Sequence, residues 1–228
     1  MRRAQRTTNP FCERARRFVR GKQNEKTIRM SEHLTFFQQF LRNPRQIGSV
    51  IPSSRFLERR IIRAADIARA DVVVELGPGN GGTTRALLRA MSPQARLLAI
   101  EINRDCYEMV CRIRDPRLTV HLGSAENLSE LLQHYGLAAA DVVVSGIPFS
   151  TMDEGTAARI AAAIAGALKP GGRFVAYQVS RKVADVNRGF PGPARVEVEL
   201  LNIPPLRVFR WEKQAGGAEL ARRAASSL

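Results

Sequence analysis

The strongest constraint on this chain is a short stretch near its middle. Val72-Val-Val-Glu-Leu76 runs directly into Gly77-Pro-Gly-Asn-Gly-Gly82, and a helix-forming stretch follows to about residue 91. β-Branched residues suit a buried pleated strand, and glycines supply the tight turn. The turn then presents backbone N–H groups at a helix start. The rest of the chain repeats this unit. Apolar runs at 72–76, 97–102, 118–122, 142–145 and 173–179 alternate with helical stretches near 82–91, 104–113, 126–134 and 154–168. That alternation predicts an α/β fold with a parallel sheet covered by helices on both faces. Two further strand-like runs, 195–202 and 206–211, meet at Ile203-Pro204-Pro205 with no helix between them and predict a closing hairpin. The last dozen residues read as a fraying end.

Upstream of this core the sequence is of another kind. Residues 1–63 hold 16 Lys/Arg against 4 Asp/Glu, whereas residues 64–228 hold 20 against 17. The +15 net charge of the 228-residue chain therefore sits mainly on an N-terminal segment. We divide the chain accordingly into a basic helical arm with a loop (1–63) and the α/β domain (64–228). Such an arm seeks an anionic partner, either a membrane face or nucleic acid. Phe11, Ala15, Phe18 and Val19 recur at helical spacing among Arg14, Arg16, Arg17 and Arg20, which suits lipid contact. Leu34, Phe37 and Leu41 form a second helical stripe that suits core packing. A Gly/Pro/Ser loop follows at 46–55, and Ser53 or Ser54 caps a third helix carrying Leu57, Ile61 and Ile62.

The three cysteines, Cys12, Cys106 and Cys111, show no CxxC or secreted-type spacing and predict a reducing compartment without a disulfide framework. His33, His121 and His134 are scattered, so no metal site is expected. The basic start leads into no apolar signal segment, and the longest uncharged stretch, 142–152, falls far short of a membrane span.

The candidate site gathers at strand ends. Gly77, Gly79 and Gly82 match the GxGxxG of dinucleotide enzymes. Gly77, Gly79 and Gly81, led by Glu75, match the ExGxGxG of S-adenosylmethionine (AdoMet) methyltransferases. Glu101, at the end of the second strand and followed by Ile102, suits the two hydroxyls of a ribose in either case. Gly123-Ser-Ala-Glu126 suits an adenine pocket. Ser145-Gly-Ile-Pro-Phe149 borders the switch point of such a sheet, where backbone carbonyls and an aromatic ring can hold an amine. A nicotinamide enzyme would need a proton donor there, and no such set is apparent.

Glu75-Leu-Gly-Pro-Gly-Asn-Gly81, Glu101, Gly123-Ser-Ala125, Ser145-Gly-Ile-Pro148 and Lys169-Pro-Gly-Gly172 stand in the order of a class I AdoMet-dependent methyltransferase, which the chain resembles over about residues 36–212. Asn43-Pro-Arg-Gln-Ile-Gly-Ser-Val-Ile-Pro-Ser-Ser-Arg55 and Asn202-Ile-Pro-Pro205 resemble segments of the bacterial phospholipid N-methyltransferases. The resemblance implies a Rossmann-like seven-stranded sheet of order 3-2-1-4-5-7-6 with an N-terminal helical extension. It implies methylation of the phosphatidylethanolamine amine toward phosphatidylcholine, by a cytoplasmic enzyme docked on the inner membrane face through its basic arm. No obligate protein partner is implied. By position, Glu75, Gly77, Gly79, Gly81, Glu101, Ile102, Ser124 and Ala125 would bind AdoMet, and Ser145, Gly146, Ile147 and Pro148 would line the transfer site.

The chain departs from that family at Ser124, where Asp is usual, at Ile147 and Phe149, where Leu is common, and at Tyr177-Gln-Val179, where Phe-Thr-Tyr is frequent. Methyl transfer asks mainly for proximity and alignment, so no general base is assigned, although Tyr177 and Glu126 are candidates. The alternative is an RNA adenine N6-methyltransferase. Those enzymes carry Asn-x-Pro-Tyr/Phe after the fourth strand. The chain has the proline and an aromatic Phe149 able to stack a base, with Ser145 in place of the Asn. A non-catalytic binding protein on a relic fold is the third possibility, and the intact glycine loop argues against it.

Overall fold

A strand buried on both faces reads as a continuous apolar run, not as an alternating one. The computed structural model shows this at β1 (Val72–Leu76), buried at every position. The structure describes residues 53–181, 183–184, 190 and 193–214. The helices expected at 11–20 and 31–41, most of the 43–55 motif and the last dozen residues lie outside them.

The elements follow in chain order: α1 (Arg55–Ala65), β1, α2 (Gly82–Ala90), β2 (Arg96–Glu101), α3 (Arg104–Cys111), β3 (Leu118–Leu122), α4 (Leu128–His134), β4 (Ala140–Ser145), α5 (Glu154–Ala167), β5 (Leu168–Gln178), β6 (Arg195–Glu199) and β7 (Leu206–Glu212). The strands form one seven-stranded sheet of order β3-β2-β1-β4-β5-β7-β6, as expected. β1 through β5 pair in parallel. β7 runs antiparallel between β5 and β6, so the closing hairpin is real. β5 starts earlier than the apolar run suggested, because Leu168 already pairs with Ala140. The register then shifts, and pairing resumes at Val142 and Arg173. β6 stops at Glu199, where the turn takes over.

Alternate residues of each strand feed two cores. Val73, Val142, Val144 and Val175 pack under α1, α2 and α3 with Leu57, Ile61, Leu87 and Val110. Val74, Val143 and Phe174 pack under α4 and α5 with Leu131, Ile160 and Ile164. Phe174, Phe209 and Trp211 add a run of stacked rings near the hairpin.

Ser54 caps α1, accepting from the Leu57 N–H at 3.2 Å. Leu57 and Ile61 are buried as the pattern required, and Ile62 is half-buried. The 63/64 charge boundary falls inside this helix, so the edge of the basic segment and the edge of the packed fold do not coincide. The Ser54 N–H donates to Asn202 Oδ1 at 2.9 Å, and Asn202 Nδ2 donates to the Pro204 carbonyl at 2.9 Å. Arg60 pairs with Glu197 and Glu199 beside this clasp. The two motif segments outside the central core, read separately in the sequence, therefore meet. Cys106 is free and half-buried.

Candidate functional site

Every parallel strand delivers its carboxyl end to one edge of the sheet, and the switch point falls between β1 and β4. There the glycine loop turns on three positive φ angles, 71° at Gly77, 57° at Gly79 and 79° at Gly81. Gly82 is the first residue of α2 and shows no such angle, so the ExGxGxG spacing is the one the backbone uses. A Cβ at Gly77 would lie 3.2 Å from Ile147 Cγ1, and one at Gly81 would lie 2.9 Å from Ile113 Cδ1. A Cβ at Gly79 would meet nothing within 4 Å. Gly79 therefore borders open space in which a ligand can lie against bare backbone.

Two acids face this loop. Glu101 is 2% exposed; it accepts from Gly79 N–H at 3.1 Å and from Asn103 N–H at 2.9 Å. Burial raises its pKa and these backbone bonds oppose the rise. Ile102 is half-buried beside it. Glu75 is fully buried, and neither carboxylate oxygen has a hydrogen-bond partner. Burial pushes it up to about 8, with the nearby Thr84 hydroxyl opposing and the Glu101 charge adding. An orphaned buried carboxylate, a second acid at the strand end and an open glycine cradle together fit AdoMet, a ligand with a ribose diol and cationic groups.

Glu75 also predicts a pH effect. Unfolded, it ionises from about pH 4.5, but folded only near 8. Stability is therefore lost as pH rises across that window. Compared with Glu75→Gln, the natural protein should lose about 2–4 kcal/mol of unfolding free energy between pH 5 and 8.5. Denaturant titrations of both proteins at the two pH values measure this, and parallel pH dependence would contradict it.

At the end of β3, Ala125 is buried and Ser124 is half-buried. The Ser124 hydroxyl accepts from Glu126 N–H and donates to Glu126 Oε1, so it is engaged locally. Glu126 Oε2 also accepts from Arg159 Nε at 2.6 Å. Glu126, a candidate base in the sequence, is thus engaged in an ion pair with Arg159 on α5.

The β4 turn is bound tightly to the glycine loop. Gly146 N–H donates to the Leu76 carbonyl at 2.9 Å, and Ser145 is fully buried with its Oγ accepting from Ile147 N–H. The Ile147 carbonyl accepts from Phe149 N–H at 3.0 Å and from Gln178 Nε2 at 2.7 Å. The Pro148 carbonyl accepts from both the N–H and the hydroxyl of Thr151. Gly146 itself, just beyond β4, is half-buried. Buried Gln178, which sequence reasoning missed, thus positions this turn from β5; only the β4–β5 register, Ser145 opposite Ala176, brings it there.

Two expectations for this turn are corrected. Phe149 is 2% exposed, packed in the core with Ala157 and Ile160, so it presents no ring to a base or a cation. Counted back from Pro148, the Asn of Asn-x-Pro-Phe falls on Gly146, not Ser145. A Cβ at Gly146 would lie 2.5 Å from the Tyr177 hydroxyl and 3.2 Å from the Gly77 carbonyl, so no side chain fits without displacing its neighbours. Tyr177 meets Thr83 Oγ1 at 3.3 Å. Burial and the Glu75 charge raise its pKa far above the ordinary phenol value, so it is not a base at neutral pH.

A family profile described as a methyltransferase domain matches residues 73–172. The chain is 29% identical over 147 residues to an ornithine lipid N-methyltransferase of Singulisphaera acidiphila, covering 64% of this chain and 77% of that protein. It is 35% identical over 96 residues to the ribosomal RNA small subunit methyltransferase A of Phenylobacterium zucineum, covering 41% of this chain but 32% of that one. Among solved structures, the O-methyltransferase TomG of Streptomyces achromogenes, in complex with SAM, superposes with a TM-score of 0.57 at 16% identity over 93% of this chain and 100% of its own.

Proposed function

We propose, from the premise that residues 73–172 are a methyltransferase domain and the chain an AdoMet-dependent methyltransferase, that its acceptor is the amine of a membrane lipid, phosphatidylethanolamine. AdoMet supplies a methyl group already activated on a sulfonium. The chain's own part is to bind and orient the reactants. Glu75, Gly77, Gly79, Gly81, Glu101 and Ile102 hold the cofactor at the ends of β1 and β2, with Ser124 and Ala125 beside the adenine. Gly146 offers its carbonyl to the attacking amine. Ser145, Ile147, Pro148 and Gln178 keep the Gly146 peptide in place. The amine would react in its neutral form, the methyl carbon leaving sulfur as it joins nitrogen, and the amine's proton would pass to water.

The observation that carries the lipid acceptor is Gly146. An adenine enzyme holds its base amine with an Asn side chain at this position, and here a Cβ alone collides with Tyr177. Phe149, buried, is likewise unable to stack a flipped base. The similarity to an ornithine lipid N-methyltransferase supports an amine-bearing lipid. The second reading, RNA adenine methylation, draws on the likeness to the ribosomal RNA enzyme. Among the described residues no helix is long and apolar enough to cross a membrane. The proposed location is peripheral, on the cytoplasmic face of the membrane, with the basic arm on anionic lipid.

Labelled AdoMet, offered with phosphatidylethanolamine, ornithine lipid and ribosomal RNA in parallel, tests this. Label in phosphatidylethanolamine is the expected result. Label only in ornithine lipid moves the acceptor to another lipid amine, and label only in RNA overturns the proposal.

A further inference from the structure

The turn between β6 and β7 is built inside out. Turns normally face water with polar side chains, because their backbone needs solvent. Here the polar side chains fold inward. Glu199 is 5% exposed and accepts from Leu201 N–H at 2.9 Å and from Arg60; Asn202 is 4% exposed and clasps Ser54 and Pro204. The large apolar side chains point out: Leu200 is 72% exposed, Leu201 63% and Ile203 74%. A lone exposed leucine is ordinary, but three within four positions on a braced turn form a patch.

The placement of this patch suggests its partner. β7 runs antiparallel to β5, with Arg207 opposite Gln178, so the turn lies at the carboxyl edge of the sheet. It stands on the same edge as the β4 turn, roughly 10 Å along the sheet at the usual strand spacing. Val179, 53% exposed, extends the apolar surface from the end of β5. Cations flank it. Arg55 is exposed next to the clasped Ser54, Arg181 is exposed beyond Val179, and Arg207 Nη1 holds the Val179 carbonyl at 2.6 Å. The acids of β6, Glu197 and Glu199, are paired with Arg60. An apolar tip inside a cationic rim matches the acyl boundary and headgroups of an anionic bilayer.

We propose that the β6–β7 turn is a membrane-insertion element: Leu200, Leu201 and Ile203 enter the apolar boundary of an anionic bilayer while Arg55 and Arg181 meet its headgroups, seating the transfer edge against the lipid surface. Its purpose rests on the lipid-amine acceptor proposed above, but its test reads membrane binding directly.

In the full chain, Leu201→Trp should shift to shorter emission wavelength on phosphatidylglycerol vesicles and be quenched when their acyl chains are brominated. Trp211, buried against Phe174 and Phe209, serves as the unquenched internal control. Leu200→Ser, Leu201→Ser and Ile203→Ser together should lower vesicle partition by about tenfold or more, with calorimetric AdoMet affinity unchanged. Absence of quenching, or equal partition of the two proteins, overturns the proposal. So does a dimer that the serine variant turns into a monomer without loss of partition, which would make a second copy the partner. Reduced partition in a protein that methylates no lipid would leave the turn assignment standing and remove only the acceptor.

Discussion

Glu101→Ala is expected to weaken AdoMet binding by about a hundredfold or more. The substitution removes the carboxylate we propose for the ribose diol, and it leaves the Gly79 and Asn103 N–H groups without their acceptor. An orphaned backbone donor costs about 1–3 kcal/mol, and a lost charge-assisted bond costs a similar amount. The glycine loop should therefore loosen as the ligand contact disappears. Glu101→Gln keeps one acceptor oxygen and should lose about tenfold. Calorimetry on the three proteins, with thermal melting to verify folding, measures the series. Equal affinities would remove Glu101 from the cofactor site.

Gly146→Ala should lower kcat by about a hundredfold to a thousandfold, while AdoMet affinity falls far less. The added methyl group would meet the Tyr177 hydroxyl at 2.5 Å, its ring carbon Cζ at 2.9 Å and the Gly77 carbonyl at 3.2 Å. The turn must shift to relieve this, and a shift of about 1 Å at a reacting centre costs on that scale. Tyr177→Leu in the same chain removes the two nearest atoms and should recover part of the rate. Gly146→Asn writes the Asn-x-Pro-Phe motif of the adenine enzymes into the chain. It should abolish lipid methylation without creating activity on RNA. Methylated adenine from this variant would show that the turn can host a base, against the acceptor argued from Gly146.

What the sequence made legible was whatever is contiguous. Val72–Leu76 and the glycines after it carry strand, turn and helix start in eleven consecutive residues, so local sterics and periodicity suffice. Glu101 and Ser145 were legible because strand ends in a parallel sheet share one edge. Contacts created by register or distant return were not. Ser54 and Asn202 are 148 positions apart, and each reads alone as a turn residue. Gln178 reaches Ile147 only through the β4–β5 pairing. Arg159 and Glu126 are 33 residues apart, and their pairing needs α5 to be laid over the β3 turn. Phe149 misled for the opposite reason. Its local motif places a ring beside the reaction, but the packing of α5 over the sheet takes that ring into the core.

The bond between Glu101 and Gly79 has a consequence for binding. The loop a ribose would lie against is already tied to the carboxylate that would read it. A carboxylate offers about four lone-pair sites, so Glu101 can take a ribose hydroxyl while keeping both backbone donors. The loop is thus held in shape before a ligand arrives, and less ordering is left to cost affinity.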